Sequence, residues 1–470
     1  MSSKSKYIRL IKDTGIFALG NLGSKLILFF LVPLYTNYMT TEEYGIADLI
    51  STLSELIMPF VSLVVFDAVQ RFALSKDERS QDVLLCGLLT CCVGSLITFV
   101  ITPLIGMYSA ISEWKWFLSV FVVLSMFANV EKNYLKAKDQ NVLFSVLSII
   151  QTAVLATCNI VFLCLGGMGV SGYLLSTCIA CSVPVFGSFA FGGLVSDLRN
   201  AEFDIELLKR MLTFSAPLIL NNVSWWAIHS FDKVFLERII GAAALGLYTV
   251  ATKMPSLVNV MTSIFSQAWG ISSVREYESS NDADYYSSVL QVLVLIVYGF
   301  TILLVSLIRP FMAVYVGRDF ADAWRYVPLL LVAAAFYSVG SYYGSMYGAL
   351  KKSVNNMITT FVSAAVCIVI TVVSVPRVGV WGAIAGTLIS YAVLMVSRFF
   401  DVRRFISVDA GGWRFAASTM IITVHAIIVS TANADTLVLS AVLIAGFLLL
   451  NYRTLQSMIR HFGHNQIVRR

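Results

Sequence analysis

Apolar stretches of about 20 residues, each closed by charges or turn-forming residues, recur about 14 times in this chain. They fall near 14–38, 44–70, 83–108, 116–134, 142–165, 170–195, 211–237, 245–270, 287–308, 327–350, 354–375, 380–400, 413–431 and 435–452. A helix of that length crosses the hydrocarbon core of a bilayer, and a helix satisfies its own backbone there. The composition leaves no soluble alternative. Of the residues, 58% are hydrophobic and 13% charged, and mean hydropathy is +0.81. A soluble domain carries roughly twice that charge. The pattern predicts an all-α integral membrane protein. Segments two, seven and eight are the least hydrophobic, so they are expected to face protein or water rather than lipid.

The first run follows Lys4, Lys6, Arg9 and Lys12, as the core of a signal peptide would. It contains Lys25 and Pro33, however, and ends in Tyr35-Thr36-Asn37-Tyr38 rather than in small residues, so it reads as a retained first span. With the N-terminus inside, the inner loops collect Arg71, Lys76 and Arg79, then Lys132, Lys136 and Lys138, and later Arg398, Arg403, Arg404 and Arg414. The outer loops hold Lys115, Arg238, Arg309, Arg318, Arg325 and Arg377. Counted over all inner loops and both termini, about 24 Lys and Arg lie inside against 6 outside, an excess of about four to one that places both termini in the cytoplasm. The loop from Arg309 to Tyr326, the longest on the outer side, runs against this rule. The net charge of +6 therefore reflects topology and does not point to nucleic acid.

The chain repeats itself internally. A shift of 201 residues lays Asn21 on Asn222, Phe30 on Phe231 and Gly45 on Gly246. A shift of 210 lays Gly169-Val170-Ser171-Gly172 on Gly379-Val380-Trp381-Gly382 and Thr177 on Thr387. Between them, Leu135-Lys136 matches Leu350-Lys351. The period covers six spans. Six is even, so both copies enter the membrane from the same side, which makes a parallel pseudo-two-fold repeat. The expected organisation is a six-helix bundle over 1–200, a second over 201–408, and two extra C-terminal helices with a basic cytoplasmic tail over 409–470.

Charges inside spans mark function or pairing, because each costs at least ~2.5–3.5 kcal/mol to insert. Lys25 lies in span one, and Asp48, Glu55 and Asp67 in span two. Asp232, Lys233 and Glu237 lie in span seven, and Lys253 in span eight. Asp48 and Glu55 share a helix face, as do Asn21 with Lys25, and Asn222 with Trp226, His229 and Lys233. Span eight carries a polar stripe from Thr249 through Lys253, Asn259 and Ser266 to Gln267. One reading is a cationic cavity for a diphosphate head group, with Lys25, Lys233 and Lys253 as point charges and Asn21, Asn222, His229 and Trp226 as polar and aromatic lining. Trp225, Tyr337, Tyr342, Tyr343 and Tyr347 would stack on sugars. Asp48, Glu55 and Asp232 would couple or gate transport. The other reading is structural: Lys233 with Glu237, and Asp67 with Arg71, as i, i+4 ion pairs, and His229 as a buried hydrogen-bonded side chain.

Other motif matches carry no chemistry. Gly167-Met168-Gly169-Val170-Ser171-Gly172 fits a dinucleotide fingerprint but joins two apolar spans with no preceding strand. Cys178 and Cys181 sit three apart in a span, and all eight cysteines fall in spans, so no disulfide framework is implied. Asp282-Ala283-Asp284 lacks the domain a sugar-nucleotide transferase needs. No metal-ligand or catalytic constellation stands out. The chain is not expected to be an enzyme or to need a cofactor.

The opening stretch Gly15-Ile16-Phe17-Ala18-Leu19-Gly20-Asn21, then Leu31-Val32-Pro33-Leu34-Tyr35-Thr36 and Glu43-Tyr44-Gly45, resembles the start of bacterial polysaccharide exporters, the O-antigen and capsule repeat-unit flippases. The Gly-Val-x-Gly at 379–382 is similar to the family as well. Their superfamily includes multidrug extruders and the lipid II flippase. The resemblance implies two six-helix bundles, a cationic cavity and alternating access. The implied cargo is an undecaprenyl-diphosphate-linked oligosaccharide, moved to the outer leaflet of the bacterial cytoplasmic (inner) membrane. A polysaccharide polymerase and a chain-length regulator are the implied partners, besides membrane lipid. The alternative is a multidrug or cation antiporter of the same fold, which would rest on Asp48, Glu55 and Asp232 and would be opposed by the lysines.

Overall fold

The computed structural model describes residues 27–75, 77–279, 283–350, 352–432 and 437–456, apart from the side chains of 267, 268, 271 and 274–279. No strand occurs among them. The chain divides into two units. Residues 1–226 and 241–246 form one, and residues 227–240 and 247–470 the other.

The N-terminal unit starts with α1 (Ile27–Tyr38) and α2 (Thr41–Ser62). A capping box opens α2: the Thr40 hydroxyl accepts from the Glu43 N–H at 3.2 Å, and a Glu43 oxygen accepts from the Thr40 N–H at 2.8 Å. The helix stops at Leu63 and Val64, whose φ values of 50° and 53° are left-handed, and resumes as α3 (Val65–Ala73). Neither residue favours that conformation, least of all β-branched Val64. Ser62 stabilises the break, accepting from the Val64 N–H at 3.2 Å. Then follow α4 (Ser80–Ile105), α5 (Lys115–Ala137), α6 (Asn141–Asn159), α7 (Gly169–Phe191) and the short α8 (Leu194–Arg199).

The 36-residue α9 (Ile205–Ile240) contributes to both units. So does α10 (Ala242–Lys253), whose residues up to Gly246 belong to the N-terminal unit; the C-terminal unit continues with α11 (Pro255–Ser279), α12 (Ala283–Tyr315), α13 (Val327–Ala349), α14 (Ser353–Val378) and α15 (Val380–Val402). The chain ends in the hairpin α16 (Trp413–Thr431) and α17 (Leu437–Leu450). Among the described residues, ten helices are long and apolar enough to cross a membrane. Two further apolar helices, α1 and α17, are shorter. The stretch expected to hold spans seven and eight is helical but too polar to meet that standard, as its charged and amide side chains foretell. The protein is a multi-pass membrane protein, and its full complement of spans is not fixed by these helices.

The element order repeats. Thr41 opens α2 and Ala242 opens α10, 201 residues on. The starts of α4 and α12, α5 and α13, α6 and α14, and α7 and α15 follow in the same succession. A 3-10 turn precedes the fourth helix of each series, at Ser109–Trp114 and at Arg318–Arg325. Two repeat-related glycines sit against each other's helices. A Cβ on Gly45 would overlap the Ala242 carbonyl, and one on Gly246 would overlap the Thr41 carbonyl. Both positions lie in the N-terminal unit, and the small residues let the backbones touch.

Several expectations change. The long outer loop is largely helical, since α12 runs to Tyr315 and a 3-10 turn fills Arg318–Arg325. Asp67 and Arg71 do not pair. Asp67 interacts electrostatically with Lys136 of α5. Arg398, assigned to an inner loop, is buried within α15 at 3% exposure. Its guanidinium donates to Gly340 O at 3.0 Å, Asn356 Oδ1 at 2.6 Å, Thr360 Oγ1 at 3.0 Å and Thr359 Oγ1 at 3.3 Å. A Cβ on Gly344 would overlap Nη1, so this glycine makes room for it.

Candidate functional site

Four of the residues singled out from sequence line one cavity of about 290 Å³ in the C-terminal unit: His229, Asp232, Lys233 and Lys253. They come from neighbouring turns of α9 and from the end of α10. Two features aim them inward. In α9, residues 229, 232 and 233 are three and four apart and share a face. Between α10 and α11 the helix breaks at Met254, and Pro255, at the mouth of α11, joins the lining. Lys253 is therefore the last residue of a helix, next to the break.

Asp232 is 2% exposed, yet three donors reach its carboxylate. The Tyr248 hydroxyl donates to Oδ2, Thr387 Oγ1 donates to Oδ2 at 2.9 Å, and the Lys233 N–H donates to Oδ1 at 2.9 Å. A carboxylate taken out of water needs such partners, since hydrogen bonds to a charged group contribute ~1.5–3 kcal/mol each. Lys233 also interacts electrostatically with both Asp232 and His229. On the opposite side, His229 Nδ1 and the Tyr391 hydroxyl are 2.7 Å apart, and Tyr337 packs against both rings with centroids at 6.0 and 5.2 Å. Asn259 lines the cavity, and among the described residues its Oδ1 has no hydrogen-bond partner. The site thus offers two lysines, one buried carboxylate held by three protein donors, and several neutral donors and acceptors.

The remaining sequence candidates lie elsewhere. Asp48, which is buried, and Glu55, which is exposed, lie on α2 in the N-terminal unit. Trp226 belongs to that unit too, and its indole N–H donates to Thr52 O at 2.9 Å. Asn222 donates to Leu218 O of its own helix at 2.9 Å. Lys25 and Asn21 lie outside the described residues. Three of the four tyrosines expected to meet sugars are core residues. Tyr342 stacks on Trp269 with centroids 4.9 Å apart, Tyr343 is 1% exposed against Phe399, and Tyr347 donates to Asp401 Oδ2 at 2.9 Å. The polar stripe of span eight is also partly spent on packing: Thr262 bonds Ser338, and Ser266 lies 3.1 Å from Ser341, both on α13. Sequence reasoning passed over Tyr248 and Tyr391, and met Thr387 only as a repeat match. Thr387 and Tyr391 are four apart in an otherwise apolar helix, which was the available signal.

No group of three or more His, Cys, Asp or Glu side chains that could hold a metal ion occurs among the described residues.

A family model described as "Polysaccharide biosynthesis protein" matches residues 10–271, more than half of the chain. The Lsg locus protein 1 of Haemophilus influenzae is 23% identical over 267 residues, which cover 56% of this chain and 65% of that relative. An uncharacterized membrane protein of the same organism is 21% identical over 271 residues, covering 55% and 64%. The matches therefore span just under two thirds of the length of these relatives. Among solved structures, the lipid II flippase MurJ in an inward closed conformation aligns with a TM-score of 0.65 at 11% identity, over 95% of this chain and 99% of that one. An inward-facing multidrug resistance MATE family transporter of the MOP superfamily aligns with a TM-score of 0.60 at 16% identity, over 87% and 100%. At these identities the likeness is one of fold, and it extends beyond the residues matched by the family model.

Proposed function

Because the chain belongs to the polysaccharide biosynthesis protein family, we propose that it is a flippase for an undecaprenyl-diphosphate-linked oligosaccharide. It would move this repeat unit from the cytoplasmic to the outer leaflet by alternating access, for O-antigen, capsule or exopolysaccharide synthesis. It would do so without catalysis, in the bacterial inner membrane, with both termini cytoplasmic. Polysaccharide polymerase and chain-length regulator would act on the delivered unit. Residues 1–200 and 201–408 would form the two six-helix bundles, and 409–470 the appended hairpin and tail.

The observation that carries this reading is the convergence of Lys233 and Lys253 on one cavity with neutral hydrogen-bonding groups. Lysine is an effective point charge for phosphate, and these two reach the cavity from successive helices, α9 and α10. The His229–Tyr391 pair and Asn259 supply partners suited to a sugar. At about 290 Å³ the cavity matches a diphosphate and its first sugar rather than a whole repeat unit. Lys25, Asn21, Asn222 and Trp226 are assigned to the rest of the path, and Asp48, Glu55 and Asp232 to coupling or gating.

Asp232 also favours a second reading, a cation antiporter, because it is a buried carboxylate furnished with donors. One experiment separates them. Purified protein is placed in proteoliposomes with a fluorescent undecaprenyl-diphosphate oligosaccharide, with and without a membrane potential. The flippase reading expects protein-dependent movement that is lost in Lys233→Gln with Lys253→Gln. An inside-negative potential should favour outward movement by about 2.3 kcal/mol per charge for each 100 mV. Absence of movement, with efflux of an ethidium-type cation instead, would overturn it in favour of the antiporter.

A further inference from the structure

A second cavity, of about 330 Å³, opens at the other end of the C-terminal unit's helices. It lies where the α15–α16 linker meets the start of α12 and the end of α17, and its lining includes Asp409, Arg414, Gln291 and Asn451. Nothing in the transport reading uses it.

Its depth in the membrane is marked by aromatics. Trp413 begins α16 and is 69% exposed, and Tyr452 follows α17 and is 55% exposed. The two helices are antiparallel neighbours, tied by Asn451 Nδ2 donating to Ser418 Oγ at 3.0 Å and by the 2.9 Å contact of His425 with Ser440. Exposed Trp and Tyr at one mouth of a membrane hairpin sit at the level of lipid head groups. The cavity is therefore at head-group level.

Its charges are of opposite sign and do not meet. Among the described residues the Arg414 guanidinium has no hydrogen bond and no ion pair. Among the described residues the Asp409 carboxylate accepts only from the Gly411 N–H, at 2.9 Å. Both line the cavity, yet they lie beyond ion-pairing distance of each other. The backbone holds them apart: Gly411 and Gly412 adopt φ values of 94° and 54°, which other residues rarely take, while Asp409 is anchored by its N–H to Ser287 Oγ at 2.9 Å and by its carbonyl to Gln291 at 3.4 Å. A cation and an anion fixed apart in one cavity are complementary to a zwitterion that spans them.

We propose that this cavity binds the head group of an aminophospholipid, with Arg414 on the phosphate and Asp409 on the primary ammonium. The space equals that of on the order of ten water molecules, enough for a phosphoethanolamine group. The primary ammonium has three N–H donors for the Asp409 carboxylate. A choline group has none, and the uncharged terminal glycerol of phosphatidylglycerol would leave Asp409 without a counter-charge. The site is independent of the cargo of the transporter.

Full-length protein, delipidated in detergent, is mixed with micelles containing phosphatidylethanolamine, its mono- and dimethyl derivatives, phosphatidylcholine or phosphatidylglycerol. Native mass spectrometry reads the lipid retained. The expected result is retention of phosphatidylethanolamine about ten-fold above phosphatidylcholine, falling stepwise with each methyl group. Asp409→Asn removes this preference, and Arg414→Gln removes retention of both. Equal retention across the methylation series by the unaltered protein would overturn the proposal without recourse to any variant. So would preference for phosphatidylglycerol that rises in Asp409→Asn, which marks an anionic-lipid site, and so would displacement by inorganic phosphate, which marks a site for free phosphate.

Discussion

The contact between Arg398 and Gly344 can be isolated by a double-mutant cycle. Arg398 gives charged hydrogen bonds to four neutral acceptors, and no carboxylate among the described residues lies within ion-pairing distance of it. Arg398→Ala strips a charged donor from Gly340 O and Asn356 Oδ1, each worth ~1.5–3 kcal/mol, so a loss of about 3 kcal/mol is expected. Gly344→Ala in the unaltered protein pushes a methyl into Nη1, an overpacking that costs ~1–3 kcal/mol. In the Arg398→Ala background that obstacle is gone. What remains is the replacement of a mid-helix glycine by alanine, which is favourable by up to ~1 kcal/mol. The same substitution should therefore change sign, with a coupling of about 2 kcal/mol. Unfolding of the four proteins by SDS in mixed micelles, followed by tryptophan fluorescence, measures it. An equal effect of Gly344→Ala in both backgrounds would refute the assigned packing.

Three further outcomes follow from the geometry. Gly246→Leu drives a side chain into the Thr41 carbonyl, a backbone obstacle worth more than ~4 kcal/mol, so folded protein in the membrane should be largely lost on an immunoblot. Gly446→Leu, at a position with open space around it, should be recovered normally. Tyr248→Phe and Thr387→Val each remove a donor from buried Asp232 and should each cost ~1.5–3 kcal/mol in the SDS assay, but clearly less when Asp232 is replaced by Asn; an undiminished cost there would refute the assignment. Lys233→Ala should cut transport of the fluorescent lipid-linked oligosaccharide about ten-fold, a loss of ~1.4 kcal/mol of binding, at unchanged membrane level. Normal transport by that variant would sink the assigned role.

Hydropathy is a local property, and it identified best the helices that do nothing but span. Thus α4, α6 and α14 follow their apolar runs closely. Local patterning also placed His229 and Lys233 on one face. What it could not reach was the origin of their partners. Tyr248 and Thr387 approach Asp232 from α10 and α15, and only tertiary packing brings them there. Arg398 was misplaced for a related reason. It stands beside Arg403 and Arg404, so it reads as part of a basic loop, while the acceptors that permit its burial lie on α13 and α14. The tyrosines of α13 fail in the opposite sense: exposed polar handles by composition, they are packed into the core by a helix whose central window is 78% buried. The break in α2 left no trace at all, because neither Leu63 nor Val64 is a helix breaker.

The touching glycines of α2 and α10 bear on ancestry. Gly45 meets the chain at Ala242, and Gly246 meets it at Thr41. Under the 201-residue shift these are the same two positions, taken in opposite order. A half-length ancestor pairing with a second copy of itself would have required one glycine to build both contacts, as any isologous interface does. Fusion of two such copies would turn that one requirement into two separate ones. Each glycine now answers to a different stretch of backbone, so neither can stand in for the other.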